Sequence, residues 1–347
     1  MYRGQYELYG VELSFFTRKL EAQLRFQQIP WRYRFRNDER DKEVGARAGT
    51  HFIPVLITPD GWMIADTIAL GPLLNDRFNK APVIPTTPAQ RAACFVLEDI
   101  FNHWLGRVCV HTRWCYPDNV NWVGPRFGAN VMLDRSIDEP FSDQELEQLT
   151  PIGDFMYQGF GKSVCEYTGV GPDQAKAVKA DFLQLMSVLA QHLKQHDFLL
   201  GGRPCLADFA LAGASKAHFV CDPVPLAWLG EYRPMLEAYT QRVFSADTDV
   251  CQWMEDDALP ASLSQILDYA DNTYANYSRE NSAAVAQGEK YFEYDFGYGN
   301  TRARTQKRLN KARLHVQDEL NRIDAARPGL VRSALGQLTL LDYYLTD

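Results

Sequence analysis

The spacing of apolar positions divides the chain into a mixed front segment and a long, mainly helical remainder. Tyr6-Glu7-Leu8-Tyr9 reads as a short strand that turns at Gly10. From Phe15 to Gln28 the apolar residues Phe16, Leu20 and Leu24 recur at helical spacing, and the pattern stops before Pro30. Trp31-Arg32-Tyr33-Arg34-Phe35 alternates aromatic with basic, the period-two signature of a strand with one buried face. Its arginines, with Arg36, are expected on the solvent side. Asp38 to Arg47 is polar and reads as a short helix or an irregular loop. Phe52 to Ile57 is a strand interrupted near its start by Pro54, Asp60-Gly61 supplies a hairpin turn, and Trp62 to Ala65 returns as the partner. Asp66-Thr67 then opens an apolar helix, Ile68 to Phe78, where a carboxylate and a hydroxyl suit the amino end. The predicted order is β-α-β-α-β-β-α.

Pro82, Pro85 and Pro88 mark a linker, and Thr87-Pro88 starts a helix. Phe95, Ile100, Phe101, Trp104, Leu105 and Val108 define one long amphipathic element. Residues 116–161 carry Pro117, Gly124, Pro125, Gly128 and Pro140, and read as an irregular insert. Asp173 to His196 is again helical, Leu206 to Phe219 is apolar enough for a helix buried all round, and Pro234 to Val243 is a further short helix. The remaining 246–347 form a tail. Within it Ile266 to Tyr277 is read as helical, Tyr291 to Tyr298 shows little periodicity, and Leu309, Ala312, Val316, Leu320 and Ile323 line one helix face.

Length agrees with this division: 347 residues are about two domains with material left over. Hydrophobic residues at 46% and charged residues at 23% are ordinary for a globular chain. A net charge of -8 disfavours a general nucleic-acid binder. No stretch approaches the ~20 apolar residues of a membrane span, and the polar start Met1 to Glu7 lacks a signal core. The seven cysteines are scattered with no C-x-x-C pair, which predicts buried thiols in a reducing cytoplasm and no zinc motif.

Four motifs together resemble the glutathione transferase superfamily. Ser14-Phe15-Phe16-Thr17-Arg18-Lys19 is similar to the family's active-site turn, Ile53-Pro54-Val55-Leu56 to its Val-Pro-x-Leu, and Asp66-Thr67 to its acidic-plus-hydroxyl pair. Gly201 to Phe209, with Asp208, is similar to the folding motif that starts the core helix. The resemblance implies a thioredoxin-like α/β domain over 1–80 and an all-α domain over 88–245 with the 116–161 insert. A helical extension over 246–347 would follow. It also implies a homodimer using glutathione as co-substrate, in detoxification-type conjugation to a small hydrophobic electrophile.

In that reading Ser14 hydrogen-bonds the glutathione thiolate, with Tyr9 as the alternative donor. The Ile53-Pro54 backbone pairs with the cysteinyl part, Asp66 and Thr67 hold the γ-glutamyl end, and His51, Arg18 or Arg47 substitutes for a polar residue lost at Phe52. A free thiol with pKa near 8.5 is mostly protonated at pH 7, so a hydroxyl donor at a helix amino end would favour the reactive anion. Trp104, Arg107, His111, Trp114 and Tyr116 fall where the family places its second-substrate pocket, and the insert could lid it. Phe52, in a position usually polar, keeps a non-catalytic binding protein as the alternative. Two further features stay outside the resemblance. His192 and His196, at i and i+4, read as a solvated helix face. Arg302, Arg304, Lys307, Arg308, Lys311 and Arg313 form a basic run expected on the exposed side of the last long helix.

Overall fold

The computed structural model describes residues 4–249 and 251–345. Met1–Arg3 of the polar start and the last two residues of the tail lie outside the described residues. The front segment comprises β1 (Tyr6–Gly10), α1 (Phe15–Phe26), β2 (Trp31–Phe35), α2 (Asp38–Ala48), β3 (Val55–Ile57), β4 (Met63–Ala65) and α3 (Thr67–Arg77). Its four-stranded sheet has the order β2-β1-β3-β4, with β1 and β2 parallel and the other pairs antiparallel. The predicted order of elements is therefore observed. The α2 stretch is a full helix because Asn37 accepts from the Arg40 N–H at 2.9 Å and Gly49 closes it with left-handed φ of 66°. The arginines of β2 are ion-paired, Arg32 with Glu7 and Arg34 with Glu7 and Glu43, and Arg36 just beyond the strand joins Asp41.

The helical body begins with α4 (Pro88–Trp114) and continues with α5 (Pro117–Val131), α6 (Asp143–Leu149), α7 (Pro151–Met156), α8 (Lys162–Thr168), α9 (Ala175–Leu193), α10 (Leu206–Ala214), α11 (Pro223–Leu229) and α12 (Arg233–Ser245). The expectation of an irregular 116–161 insert is corrected: most of it is helical. Its glycines serve close approach. A Cβ on Gly153 would fall 2.0 Å from the Val120 carbonyl, and one on Gly124 would fall 2.4 Å from the Thr150 carbonyl, so α5 and α7 touch backbone to backbone.

Asp208 fastens the start of α10. It accepts from the Cys205 N–H at 2.9 Å, the Leu199 N–H at 3.0 Å and the Tyr239 hydroxyl at 2.8 Å, and burial pushes its carboxyl up to about 6. The two halves lock through α1: buried Lys19 donates to Glu98 at 2.6 Å and to Asn102 at 3.0 Å, both on α4.

The tail forms α13 (Leu263–Asn272), α14 (Tyr274–Gln287), a β5 (Tyr291–Asp295) and β6 (Asn300–Arg304) hairpin, α15 (Lys307–Ala326), α16 (Leu330–Leu335) and α17 (Thr339–Tyr344). The extension is thus helical except for one hairpin. Arg302 and Arg304 lie on β6 rather than on the long helix with the rest of the basic run. The tail shares one core with α4, α9 and α10, through Leu263, Tyr277, Phe296 and Leu320 among others. No helix among the described residues is long and apolar enough to cross a membrane.

Candidate functional site

Strand register gathers the sequence-predicted residues at one end of the sheet. Tyr9 of β1 stands opposite Val55 of β3, and Val55 stands opposite Ala65 of β4. The chain leaving β1 toward Ser14, the chain entering β3 through Ile53-Pro54, and the chain leaving β4 at Asp66 therefore emerge side by side. The Ile53–Pro54 peptide is cis.

Each segment brings polar groups that the protein does not use. Ser14 caps α1, its Oγ accepting from the Thr17 N–H at 3.4 Å. Its own O–H donates to no acceptor among the described residues. The Ile53 N–H and C=O lie outside the ladder and form no backbone hydrogen bond among the described residues. Asp66, at φ 79°, caps α3 with one oxygen on the Ile68 N–H at 3.0 Å, while the exposed side chain keeps its second oxygen open. The largely buried Thr67 follows at the first helical position, where the helix amino end favours an anion.

Tyr9 is differently engaged. Its ring is buried and its hydroxyl donates to Asp41 on α2. Burial, then the Asp41 hydrogen bond and charge, push that hydroxyl well above its usual pKa. His51 lies exposed over Gly45, where an added Cβ would come within 2.9 Å of its Cε1. Phe52 is 62% exposed.

The Val11–Ser14 turn is held by buried charges: Glu12 and Arg113, which the sequence reading did not single out, and Arg18, expected there as a substitute for the polar residue lost at Phe52. Glu12 accepts from the Asn130 amide at 3.0 Å, the Ser136 hydroxyl at 3.0 Å and the Ile137 N–H at 2.7 Å, so the insert grips the turn. Arg18 donates to the Glu12 carbonyl at 2.9 Å and to Glu21 at 2.6 Å. Burial opposes ionisation of Glu21, but Arg18, Tyr33 and Arg25 outweigh it and hold the carboxyl below its ordinary value. Arg113 from α4 reaches the Leu13 carbonyl and pairs with Asp222 at 2.8 Å. The available signal was a glutamate enclosed by Gly10-Val11 and Leu13, a charge in an apolar run that must be paired if buried.

The side chains expected along a second-substrate pocket are mostly buried. Trp104 Nε1 donates to the Tyr269 hydroxyl at 2.8 Å, and Arg107 is enclosed by Trp104, Tyr277, Tyr294 and Phe296. His111 is fully buried, with Nδ1 2.8 Å from the Val170 carbonyl and Nε2 3.2 Å from the Tyr116 hydroxyl. Trp114 stacks on Phe127. Nearer the Ser14 turn, Val11 and Leu13 are buried with the partly buried Ile53 against α5, α7 and α8. His192 is also buried rather than solvated, its ring nitrogens facing the Phe198 carbonyl and the Ser262 hydroxyl.

Comparison with known proteins bears on the helical body. Residues 164–247, from α8 through α12, match the family model of the glutathione S-transferase C-terminal domain. This stretch includes Asp208 and its cap. Among curated proteins none matches. Similar solved structures include a glutathione S-transferase from Methylobacterium radiotolerans in complex with glutathione sulfonate. It is 16% identical, over 73% of this chain and 97% of that one, with a TM-score of 0.42. A glutathione S-transferase from Rhodospirillum rubrum is 17% identical over 74% and 97%, with a TM-score of 0.45. FzlA from C. crescentus is 18% identical over 75% and 98%, with a TM-score of 0.40. The chain thus combines a mixed α/β unit with a helical body carrying the family's C-terminal-domain signature.

Proposed function

We propose that this protein is a glutathione S-transferase-like enzyme that binds glutathione at the sheet end and transfers its thiolate to a small hydrophobic electrophile. In this reading the Ile53 backbone pairs with the cysteinyl unit, and Asp66 and Thr67 hold the γ-glutamyl amine and carboxylate. The Ser14 O–H donates to the sulfur. The observation that carries the reading is the unspent Ser14 hydroxyl at the head of α1, while the Tyr9 hydroxyl is already given to Asp41 on α2. A donor there favours thiolate over thiol, and the positioned anion attacks the electrophilic carbon, forming a C–S bond as the leaving group or π electrons depart. The electrophile would rest against the partly buried Ile53 side chain, over the buried cluster of Val11 and Leu13.

The same reading takes 1–80 as the glutathione-binding domain, 88–245 as the helical domain and 246–347 as an added segment. It also takes the protein as a cytoplasmic homodimer. His51 is placed at the border of the site.

A second reading, a binding protein that uses the cleft without turnover, is favoured by the burial of Trp104, Arg107 and His111 where a substrate pocket was expected. Retention on immobilised glutathione, followed by a conjugation assay over a panel of aryl halides, epoxides and enones, separates the two. Retention with turnover supports the enzyme. Retention without turnover supports the binding protein, and absence of both removes glutathione from the account.

A further inference from the structure

The tail returns to the α/β unit beside the candidate site. Arg308, in the first turn of α15, places its guanidinium carbon 3.6 Å from the centre of the Phe52 ring. Phe52 immediately precedes Ile53, so the contact lies next to the open backbone groups at the entry to β3. Neither Arg308 nor Arg304 forms an ion pair with an acidic side chain among the described residues. Both sit near Tyr167 of α8: burial raises the Tyr167 hydroxyl and the two arginines oppose that rise. Two exposed, unneutralised cations therefore stand where the tail, α8 and the loop before Ile53 meet.

An extended peptide has a definite reach from this point. The β3–β4 register, continued one step past Val55 and Ala65, sets Pro54 opposite Asp66. A peptide centred on Ile53 with one end at Asp66 and Thr67 sends its other end away from them, along the side where Phe52 and Arg308 lie. A guanidinium stacked flat on an aromatic ring keeps its N–H edge free, oriented and little hydrated, which suits a planar carboxylate.

We propose that Arg308, braced on Phe52 and assisted by Arg304, binds the terminal glycine carboxylate of glutathione. The inference rests on the glutathione reading above and gives the tail and Phe52 a role in it. The exposed aromatic ring takes the place of a polar side chain by carrying a cation supplied from over 250 residues downstream.

Calorimetric titration of the full chain and its Arg308→Gln variant, each with glutathione and with γ-glutamylcysteine, tests it. γ-Glutamylcysteine keeps the other two units and lacks the glycine. The expected result is an affinity for glutathione reduced about ten-fold or more in Arg308→Gln, with γ-glutamylcysteine bound equally by both proteins. An unchanged glutathione affinity, or an equal loss for both ligands, overturns the assignment of Arg308 while leaving the glutathione site standing. A wild-type chain that binds neither ligand overturns both. Thermal unfolding of Arg308→Gln at the wild-type temperature excludes a folding defect, and Arg308→Lys, keeping charge without the fork, is expected to recover part of the loss.

Discussion

Arg107 of the long helix α4 gives its Nε–H to the Tyr294 hydroxyl of the tail hairpin at 2.8 Å, with no solvent at either residue. The guanidinium also lies 3.9 Å from the Trp104 ring centre and 4.7 Å from that of Phe296, and its Nη1 is 3.9 Å from Asp181. Residues 291–296 thus complete the enclosure of a charge that α4 alone would leave exposed to water.

Arg107→Ala removes one partner of a buried ionic cluster and leaves Asp181 uncompensated. It is expected to cost about 3–5 kcal/mol of unfolding free energy, measured by denaturant titration, with Tyr294→Phe costing about 1 kcal/mol. A loss below about 1 kcal/mol for Arg107→Ala would mean the enclosure contributes little.

Tyr9→Phe addresses the choice of thiolate donor. Because the Tyr9 hydroxyl is committed to Asp41, this variant should lose about 1 kcal/mol of stability and retain conjugation within about two-fold. Steady-state kinetics beside a melting curve separates the two effects. A fall in kcat/KM of about a hundred-fold would make Tyr9 the donor instead.

Cys115 should be the most reactive thiol. Its sulfur lies 3.6 Å from that of Cys165, and the hydrogen bond between the two, with help from His111 against burial, holds the Cys115 thiol below its ordinary pKa. Cys115 is thus the stronger acid, and its thiolate persists to lower pH than that of an ordinary thiol. Iodoacetamide labelling at pH 7 read by mass spectrometry should therefore be fastest at Cys115. Buried Cys109 and Cys205, pushed upward by burial, should stay unlabelled. In Cys165→Ala the Cys115 midpoint should rise toward that of an ordinary thiol; an unchanged profile would rule out Cys165 as the cause.

The α/β unit was legible because each element carried its own period and its own stop, from the alternation of Trp31–Phe35 to Asp66 ahead of α3. The insert was not. Gly124, Gly128 and Pro125 look like helix breakers when only local propensity is weighed, yet Gly124 gains a backbone contact with α7 that no other residue would permit. The β5–β6 hairpin was hidden for another reason: Phe292 and Tyr294 are buried, but the exposed positions include Tyr291 and Tyr298, so hydropathy does not alternate although burial does. At the candidate site, the sequence marked every segment that the register assembles. It did not mark Glu12 and Arg113 as the turn's supports, because their partners Asn130, Ser136 and Asp222 are more than 100 residues away. The meeting of Arg308 with Phe52 was invisible for the same reason.

In the proposed reaction Ser14 stabilises the glutathione thiolate. The most direct test is the ultraviolet absorbance of the thiolate of bound glutathione, followed as a function of pH in the wild-type chain and in Ser14→Ala. The account predicts that the bound thiol ionises at least about one unit below the free value near 8.5 in the wild type, and returns toward that value in Ser14→Ala with glutathione still bound. A bound thiol that titrates identically in both proteins, or a chain that binds no glutathione, would contradict it.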